Sequence, residues 1–322
     1  MAKSFTVENV NVDVPPRRSR RRAGASIGGG WRVAFWFLLP ALVGFTLFYL
    51  LPTIRAVLIG FQDFDFLTNK GKWVGLTNYH KLLHDKVFFN AVRVTLKYVV
   101  INMVSQITLA FVLAVLMDRL ARSVFLRGLL LVPWVLPNIV VGLLWLFILD
   151  PTIGVFNKLL QHFLIDKPIL FVNSSSWVLW SLAFVNTWKY TGYTALLLFA
   201  GMQVIPKQIY EAAAIDGASE ARMMRTLTLP LLRPVLALVL VVNVIGSFQV
   251  FDVVAAMSGG ISGKAGGPIN SSRVVYLYIY ENAFLFRKFG YASAIATVLM
   301  VFLLMLSLVQ LWVLRANRSD LA

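Results

Sequence analysis

Six long stretches of apolar residues alternate with shorter polar segments along this chain. Each stretch is long enough for a helix to cross the hydrocarbon core of a bilayer, which takes about 20 residues. The pattern therefore predicts an all-α polytopic membrane protein with six transmembrane helices. The predicted spans are Val33–Thr53, Val94–Met117, Leu129–Leu149, Trp177–Val204, Val235–Met257 and Tyr291–Leu314.

Composition supports the membrane class. Hydrophobic residues make up 59% of the 322 residues and charged residues only 14%, against about 25% charged residues in soluble domains. A soluble fold of this length could not bury so much apolar surface. The chain has no cysteine, which excludes disulfides, thiolate catalysis and cysteine-ligated metals.

The chain has a net charge of +16, and six arginines precede the first apolar run: Arg17, Arg18, Arg20, Arg21, Arg22 and Arg32. Positive residues beside a span hold that end in the cytoplasm and attract anionic lipid. Six crossings then place both termini in the cytoplasm. Nucleic-acid binding is not expected, because it needs a basic face on a folded soluble domain. We expect a disordered basic tail at 1–30, a membrane domain at 31–315 and a short cytoplasmic tail at 316–322.

The segment 205–234, between the fourth and fifth apolar runs, is rich in small and charged residues. Pro206 suits the first turn of a helix, and Lys207–Ile215 is predicted to be helical. Gly217 can adopt the left-handed conformation that ends a helix. A second short helix is predicted after it, with Met223, Met224 and Leu227 on one side and Arg222 and Arg225 on another. The product is a helix–turn–helix outside the bilayer.

The spacing of residues in this segment resembles a known motif. Glu211, Ala212, Ala213, Asp216, Gly217, Ala218, Leu229 and Pro230 resemble the coupling loop of permease subunits from binding-protein-dependent ABC importers, of the carbohydrate-uptake (maltose and glycerol-3-phosphate) type. Val74–Tyr79, Gly266-Gly267-Pro268 and Gly290–Ala294 resemble other parts of the same family, so that the resemblance covers roughly 33–315. Met224 stands where an aromatic residue is usual, and Ser258–Ala265 is an additional stretch.

The resemblance implies a type I ABC importer permease fold and a division of labour among several chains. The permease would pair with a second, homologous permease in a heterodimer, with two ATPase subunits and with an extracytoplasmic solute-binding protein, in the cytoplasmic (inner) membrane of a bacterium or archaeon. This chain would be non-catalytic and bind no cofactor, since ATP and Mg would sit on the partner ATPase. The implied ATPase-coupling residues are Glu211, Ala212, Ala213, Asp216, Gly217, Ala218 and Met224.

Polar residues inside a span are costly and tend to face a pathway. Asn186, Lys189, Tyr190 and Tyr193 lie on one face of the fourth span, because they are spaced three, four and seven residues apart. Asn243 and Ser247 are neighbours on the fifth span. Amides, hydroxyls and aromatic faces suit a hydroxyl-rich ligand, so these six residues are the substrate-binding candidates. Hydrogen bonding between helices is the alternative role for each of them.

Lys189 has two possible partners. It could bind an anionic group of a substrate, or it could pair with Asp252 on the fifth span. We favour the ion pair, because a buried ammonium without a partner is costly.

Three other functions remain as alternatives. The same architecture could import glycerol-3-phosphate or another polyol derivative. An ion-driven secondary transporter would show internal repeats and carboxylates within spans, and an intramembrane enzyme would show facing acidic, His or Ser groups. His80 and His84 lie four residues apart, but they lack the further ligands of a metal site. The sequence therefore predicts no catalytic residue and no metal ligand.

Overall fold

The computed structural model describes residues 30–119, 124–164, 166–259 and 266–313, and these are mostly helical. The tails predicted at 1–30 and 316–322 lie outside the described residues, apart from Gly30, as does most of Ser258–Ala265. The chain divides into two compact units, Met1–Thr53 and Ile54–Ala322.

The described part of the first unit is one helical run. Helix α1 (Gly30–Phe45) leads into a wider helical turn (Thr46–Leu50) and then into α2 (Leu51–Ile59), and the boundary between the two units falls within α2. Phe45 and Tyr49 stack with their ring centres 6.0 Å apart. The predicted first span is therefore helical, and an apolar run long enough to cross a membrane extends over Val33–Ile59.

A small folded segment separates the first two apolar runs. Strands β1 (Gln62–Asp65) and β2 (Lys70–Trp73) form an antiparallel hairpin, and α3 (Thr77–Leu83) follows it. Asn78 Nδ2 donates hydrogen bonds to the carbonyls of Gly60 and Gln62 at 3.0 and 2.9 Å. These bonds fasten α3 to the chain entering the hairpin.

The second unit is built around four helices: α4 (Lys86–Arg119), α8 (Val178–Gln203), α12 (Arg233–Phe248) and α15 (Phe289–Val313). Helix α4 packs along α8, and the side chains of Tyr98, Leu182 and Val185 are fully buried between neighbouring helices. Helix α4 begins at Lys86, well before the predicted Val94. Asp85 causes the earlier start, because its Oδ1 accepts the backbone N–H groups of Val87 and Phe88.

The third predicted span, Leu129–Leu149, is not one straight helix. It consists of α5 (Val124–Val135) and α6 (Asn138–Ile148), which meet at an angle of 91°. Pro137 occupies the break in an extended conformation, and proline cannot donate the hydrogen bond that would continue a helix.

The six predicted spans are not matched one for one. Among the described residues, four helices are long and apolar enough to cross a membrane, and the bent α5–α6 pair makes five if it counts as one span. Helix α8 has 26 residues, about 39 Å at 1.5 Å per residue, but it does not meet the same test of length and apolarity. Its buried polar residues, described below, are the physical reason.

Shorter elements connect the long helices. Between α6 and α8 lies α7 (Val155–Phe163). Between α8 and α12 lie α9 (Lys207–Ile215), α10 (Glu220–Met223), a wider turn (Met224–Thr228) and α11 (Leu229–Leu231). Between α12 and α15 lie α13 (Asp252–Met257), a short 3-10 turn (Pro268–Asn270), α14 (Val275–Tyr280) and a wider turn (Glu281–Leu285).

Candidate functional site

A cavity of about 420 Å³ lies between the α5–α6 bend, α8, α12 and the chain leading into α13. Its walls include five of the six residues predicted to contact a substrate. These are Asn186, Tyr190, Tyr193, Asn243 and Ser247, joined by Gln106, Trp134, Asn138 and Asp252. The structure thus gathers in one place residues that the sequence distributes over six helices, α4, α5, α6, α8, α12 and α13.

Two aromatic rings form part of the cavity wall. Trp134 on α5 and Tyr193 on α8 stack face to face, with ring centres 4.8 Å apart and planes inclined by 6°. The Tyr190 hydroxyl donates a hydrogen bond to Asn138 Oδ1 at 3.0 Å. The cavity therefore presents both broad ring surface and hydrogen-bonding groups.

Lys189 is the one predicted contact residue that does not line the cavity. Its side chain is only 3% exposed, and its ammonium donates hydrogen bonds to the Leu136 carbonyl at 2.6 Å and to Asn138 Oδ1. Leu136 lies at the break between α5 and α6, so that Lys189 binds the carbonyl that the bend leaves without a helical partner.

The prediction of a direct ion pair between Lys189 and Asp252 is wrong. Within the described part of the chain the two side chains form no ion pair, and Asp252 Oδ2 instead accepts a hydrogen bond from Asn138 Nδ2 at 3.1 Å. The α5–α6 bend is the cause, because it inserts the first residue of α6 between α8 and α13. Asn138 therefore connects the ammonium to the carboxylate.

A buried hydrogen-bond network joins α4, α8 and α12 behind the cavity. Asn102, which is fully buried, donates from Nδ2 to Ser247 Oγ at 3.0 Å and to Gln106 Oε1 at 3.2 Å. Its Oδ1 accepts from Asn186 Nδ2 at 3.0 Å and from Thr187 Oγ1 at 3.4 Å. Asn102 therefore uses both amide hydrogens and its carbonyl oxygen.

Gln106 extends this network to the remaining polar candidate on α12. Its Nε2 donates to Thr194 Oγ1 at 3.0 Å and to Asn243 Oδ1. Asn186, Asn243 and Ser247 thus belong both to the interhelical network and to the cavity wall. The interhelical role considered for these residues is therefore present, while their contact with a substrate stays a prediction.

Sequence reasoning missed Asn102, Gln106 and Asn138. All three are amides within apolar runs, which is the same signal that singled out Asn186 and Asn243. Applied to the second and third runs, that criterion would have found them.

The loop between α8 and α12 has the predicted helix, α9, and ends it with a glycine. Gly217 has a φ of +75°, in the left-handed region. The N–H of Gly217 donates to the Ala214 carbonyl at 3.0 Å, and the N–H of Ala218 donates to the Ala213 carbonyl at 2.9 Å. This pair of bonds is the Schellman motif, which satisfies carbonyls at the end of a helix. It gives a structural reason for the Ala213, Gly217 and Ala218 spacing.

The surface of α9 is open to solvent. Glu211, Ala212, Asp216 and Gly217 are exposed, and the apolar side chain of Ile215 is 87% exposed. Ala213 and Ala218 are half-buried by the motif that they form. Small and apolar groups that are exposed at the end of α9 offer a surface that another protein can approach closely.

Met224 lies on the other side of the loop. It is half-buried and lines a second cavity, of about 680 Å³, together with Met223, Tyr210, Phe199 and Arg127. The Arg127 guanidinium lies 4.3 Å from the centre of the Phe199 ring. Met223, Met224 and Leu227 are half-buried and Arg222 and Arg225 are exposed, so the two sets lie on different sides, as predicted.

Comparison with known proteins identifies the family and agrees with the fold. A model of the family described as "Binding-protein-dependent transport system inner membrane component" matches residues 85–319. The probable ABC transporter permease protein YurN of Bacillus subtilis is 34% identical over 292 residues, which cover 89% of this chain and 98% of that protein. The trehalose/maltose transport system permease protein MalF of Thermococcus litoralis is 31% identical, covering 89% and 95%. The sn-glycerol-3-phosphate transport system permease protein UgpA of Brucella abortus is 33% identical, covering 86% and 92%.

Solved structures show the same fold. A chain of a bacterial ABC transporter involved in the import of the acidic polysaccharide alginate superposes with a TM-score of 0.72, at 21% identity, over 90% of this chain and 96% of that one. A second structure of a bacterial alginate ABC transporter, in complex with an alginate pentasaccharide-bound periplasmic protein, gives a TM-score of 0.70 over 88% and 94%. From its matching family model, its relatives and its fold, this chain belongs to the family of inner membrane components of binding-protein-dependent transport systems, the permeases of ABC importers.

Proposed function

We propose that this chain forms part of the translocation pathway of an ABC importer for a sugar or oligosaccharide. One observation carries the proposal: amides, hydroxyls and the stacked Trp134–Tyr193 pair line a single cavity between helices. Sugars present hydroxyl edges and apolar ring faces, and these surfaces are complementary to such a wall. The trehalose/maltose permease among the relatives supports the same substrate class.

The chain would couple this pathway to ATP hydrolysis on a separate subunit. The exposed α9 surface with Glu211, Ala212, Asp216 and Ile215 is the proposed contact for an ATPase. Two ATPase subunits would close on binding ATP and shift the permease between its two conformations, because a ligand can drive such a change only by binding the two states unequally. The chain itself would hydrolyse nothing and hold no cofactor.

The remaining parts of the assembly follow from the same proposal. A second, homologous permease would complete the pathway in a heterodimer, and an extracytoplasmic binding protein would deliver the substrate, as the complex of the alginate transporter suggests. Both termini and the 205–234 loop would face the cytoplasm, and 31–315 would form the membrane domain. The arginines ahead of the first span support this orientation.

A second candidate is import of glycerol-3-phosphate, which the UgpA relative favours. Lys189 would be the natural partner of a phosphate. Its ammonium is already hydrogen-bonded to Leu136 and Asn138 and does not line the cavity, so a carbohydrate remains the better-supported substrate.

Purification from native membranes tests the proposed assembly. We expect an ATPase, a second permease and a sugar-binding protein to accompany the wild-type chain, and the binding protein's ligand to stimulate ATP hydrolysis. The variant Glu211→Arg, Gly217→Pro should lose the ATPase while still inserting in the membrane. Asp63→Arg, a charge reversal at an exposed hairpin residue, serves as the control and should keep it. A chain that purifies alone and transports without ATP would refute the proposal.

A further inference from the structure

Asp252 is the only acidic or basic side chain among the described residues that line the cavity. It is the first residue of α13, and its Oδ2 accepts a hydrogen bond from Asn138 Nδ2 at 3.1 Å. No described protein group donates a hydrogen bond to its other oxygen, Oδ1. The carboxylate therefore has hydrogen-bonding capacity left for a ligand.

The ammonium of Lys189 does not line the cavity. Lys189 lies behind the wall, 3% exposed, with its ammonium bonded to the Leu136 carbonyl and to Asn138 Oδ1. Asn138 stands between the two charges, with its carbonyl toward Lys189 and its amide hydrogens toward Asp252. A ligand in the cavity consequently meets the carboxylate directly and the ammonium only through the Asn138 side chain.

A carboxylate held in a fixed position makes binding selective for the charge of the ligand. Hydroxyl and ammonium groups donate strong hydrogen bonds to it, whereas a second anion at the same contact is repelled, and more strongly where protein walls lower the local dielectric. A charge of the same sign placed opposite an unwanted ligand is a common source of selectivity.

We propose that Asp252 makes this cavity selective for uncharged or amino-bearing sugars and against phosphorylated or uronate-type ones. This inference rests on the proposed function, since it takes the cavity to be the sugar site. If so, the substrate of this chain differs in charge from those of the alginate transporter that shares its fold and of the glycerol-3-phosphate permease among its relatives.

The cavity's charge can be measured without knowing the substrate. The chain has no cysteine, and Gly246 lines the cavity with no atom within 4 Å of where a Cβ would stand. Gly246→Cys therefore introduces a single reporter thiol. Its rates of reaction with a cationic and an anionic methanethiosulfonate reagent of similar size should favour the cation. Asp252→Asn should lower that ratio about five- to tenfold.

Two matched variants control this measurement. Asp252→Glu keeps the charge and should keep the ratio, which separates an electrostatic effect from misfolding. Asp63→Asn removes an exposed carboxylate in the hairpin and should leave the ratio unchanged. A ratio that is the same with Asp252 and with Asn at this position would overturn the proposal.

Ligand protection of the same thiol tests the sugars directly, in the complex purified from native membranes. Maltose (neutral) and deacetylated chitobiose (cationic) should slow labelling, and an alginate disaccharide (anionic) should not until Asp252→Asn is introduced. Stronger protection by the alginate disaccharide in the wild-type chain would overturn the charge selection and leave the importer function standing. If none of the three sugars protects, the carbohydrate assignment itself fails, while the reagent ratio still decides the charge of the cavity.

Discussion

The hydroxyl of Tyr278 donates a hydrogen bond to Asp85 Oδ2 at 2.6 Å and so joins α14 to the start of α4. Tyr291 on α15 donates to the same oxygen, and Asp85 Oδ1 accepts the backbone N–H groups of Val87 and Phe88. One carboxylate therefore connects three helices of the second unit.

This junction should make stability depend on pH in a defined window. Burial would raise the pKa of the Asp85 carboxyl, but hydrogen bonds from Tyr278, Tyr291 and the two backbone N–H groups outweigh it and hold the pKa below its ordinary 3.8. Burial, reinforced by the bond to Asp85, raises the pKa of Tyr278 from 10.0 to about 12. Because the pKa of Asp85 is lower in the folded chain, Asp85 stabilises the fold above about pH 3.8, and this contribution is lost as the pH falls. Because the pKa of Tyr278 is higher in the folded chain, Tyr278 stabilises the fold below about pH 10, and this contribution is lost as the pH rises toward about 12.

The measurement is the Tm of the purified wild-type chain and of Tyr278→Phe at a series of pH values. We expect the variant to lose about 1 kcal/mol of stability with the hydrogen bond. The resulting difference in Tm should be constant between about pH 4 and pH 10 and should become smaller at lower and at higher pH. Tyr276→Phe, on the same helix, is the control and should cost little. A difference that does not vary with pH would contradict the role of Asp85.

Gly217→Ala should destabilise the end of α9 by about 1 kcal/mol, because a Cβ in the left-handed region is strained. No atom lies within 4 Å of where that Cβ would stand, so the cost is conformational and not steric. Gly217→Asn should be tolerated better. Because α9 is the proposed contact for the ATPase, the change should appear as slower ATP hydrolysis by the purified complex. Gly128→Ala, at an uncrowded glycine in α5, is the control. Equal losses in Gly217→Ala and Gly128→Ala would contradict this account.

Asn102 and Ser247 should be energetically coupled. In a double-mutant cycle of Asn102→Ala and Ser247→Ala, we expect a coupling of about 0.6 kcal/mol, the average for hydrogen bonds within membrane bundles. Unfolding in mixed micelles gives the four stabilities. Thr297, whose hydroxyl bonds only to its own helix at Ser293, supplies a control cycle with Asn102 that should be additive. Coupling of Asn102 to Thr297 as large as that to Ser247 would show that the cycle does not report the hydrogen bond.

Gly192→Ala should disrupt the contact between α8 and α5. A Cβ at Gly192 would stand 1.9 Å from the Leu130 carbonyl oxygen, so one of the helices must move, at a cost of about 1–3 kcal/mol. Thermal stability in detergent measures this cost. Gly246→Ala, also within a helix but with open space around it, should cost nothing or stabilise slightly. If Gly192→Ala is equally neutral, the two helices are not in close contact.

Replacing Tyr193 should separate the role of its ring from that of its hydroxyl. Tyr193→Phe keeps the stacking on Trp134 and should retain most sugar protection at the Gly246→Cys thiol. Tyr193→Ala removes a ring pair worth about 0.5–1.5 kcal/mol and part of the proposed sugar-binding surface, so we expect at least a tenfold loss of apparent affinity. Equal behaviour of the two variants would argue against a stacking role.

The sequence was sufficient for the elements that depend on local pattern. Apolar runs locate the long helices, and Gly217 ends α9 because few other residues adopt its conformation. The polar residues of the cavity were found on α8 and α12 because each interrupts an apolar run, which is a signal visible without a structure.

What the sequence could not provide are relations between elements. Nothing in the order of residues shows that Asn138 lies between Lys189 and Asp252, since that depends on the 91° bend between α5 and α6. The prolines indicate a kink, but its angle is set by packing against α8 and α13. The same applies to Asn102, whose four partners lie on its own helix and on two others.

The hydrogen bonds of Asn102 also have a mechanical consequence. Sliding α4, α8 or α12 past one another would break several of these bonds at once. The three helices should therefore resist relative sliding and move together as one block. The loop that carries α9 begins at the end of α8 and leads into α12, so both of its ends are anchored in that block. A push on the loop would then move this block, and with it the part of the cavity wall that α4, α8 and α12 supply.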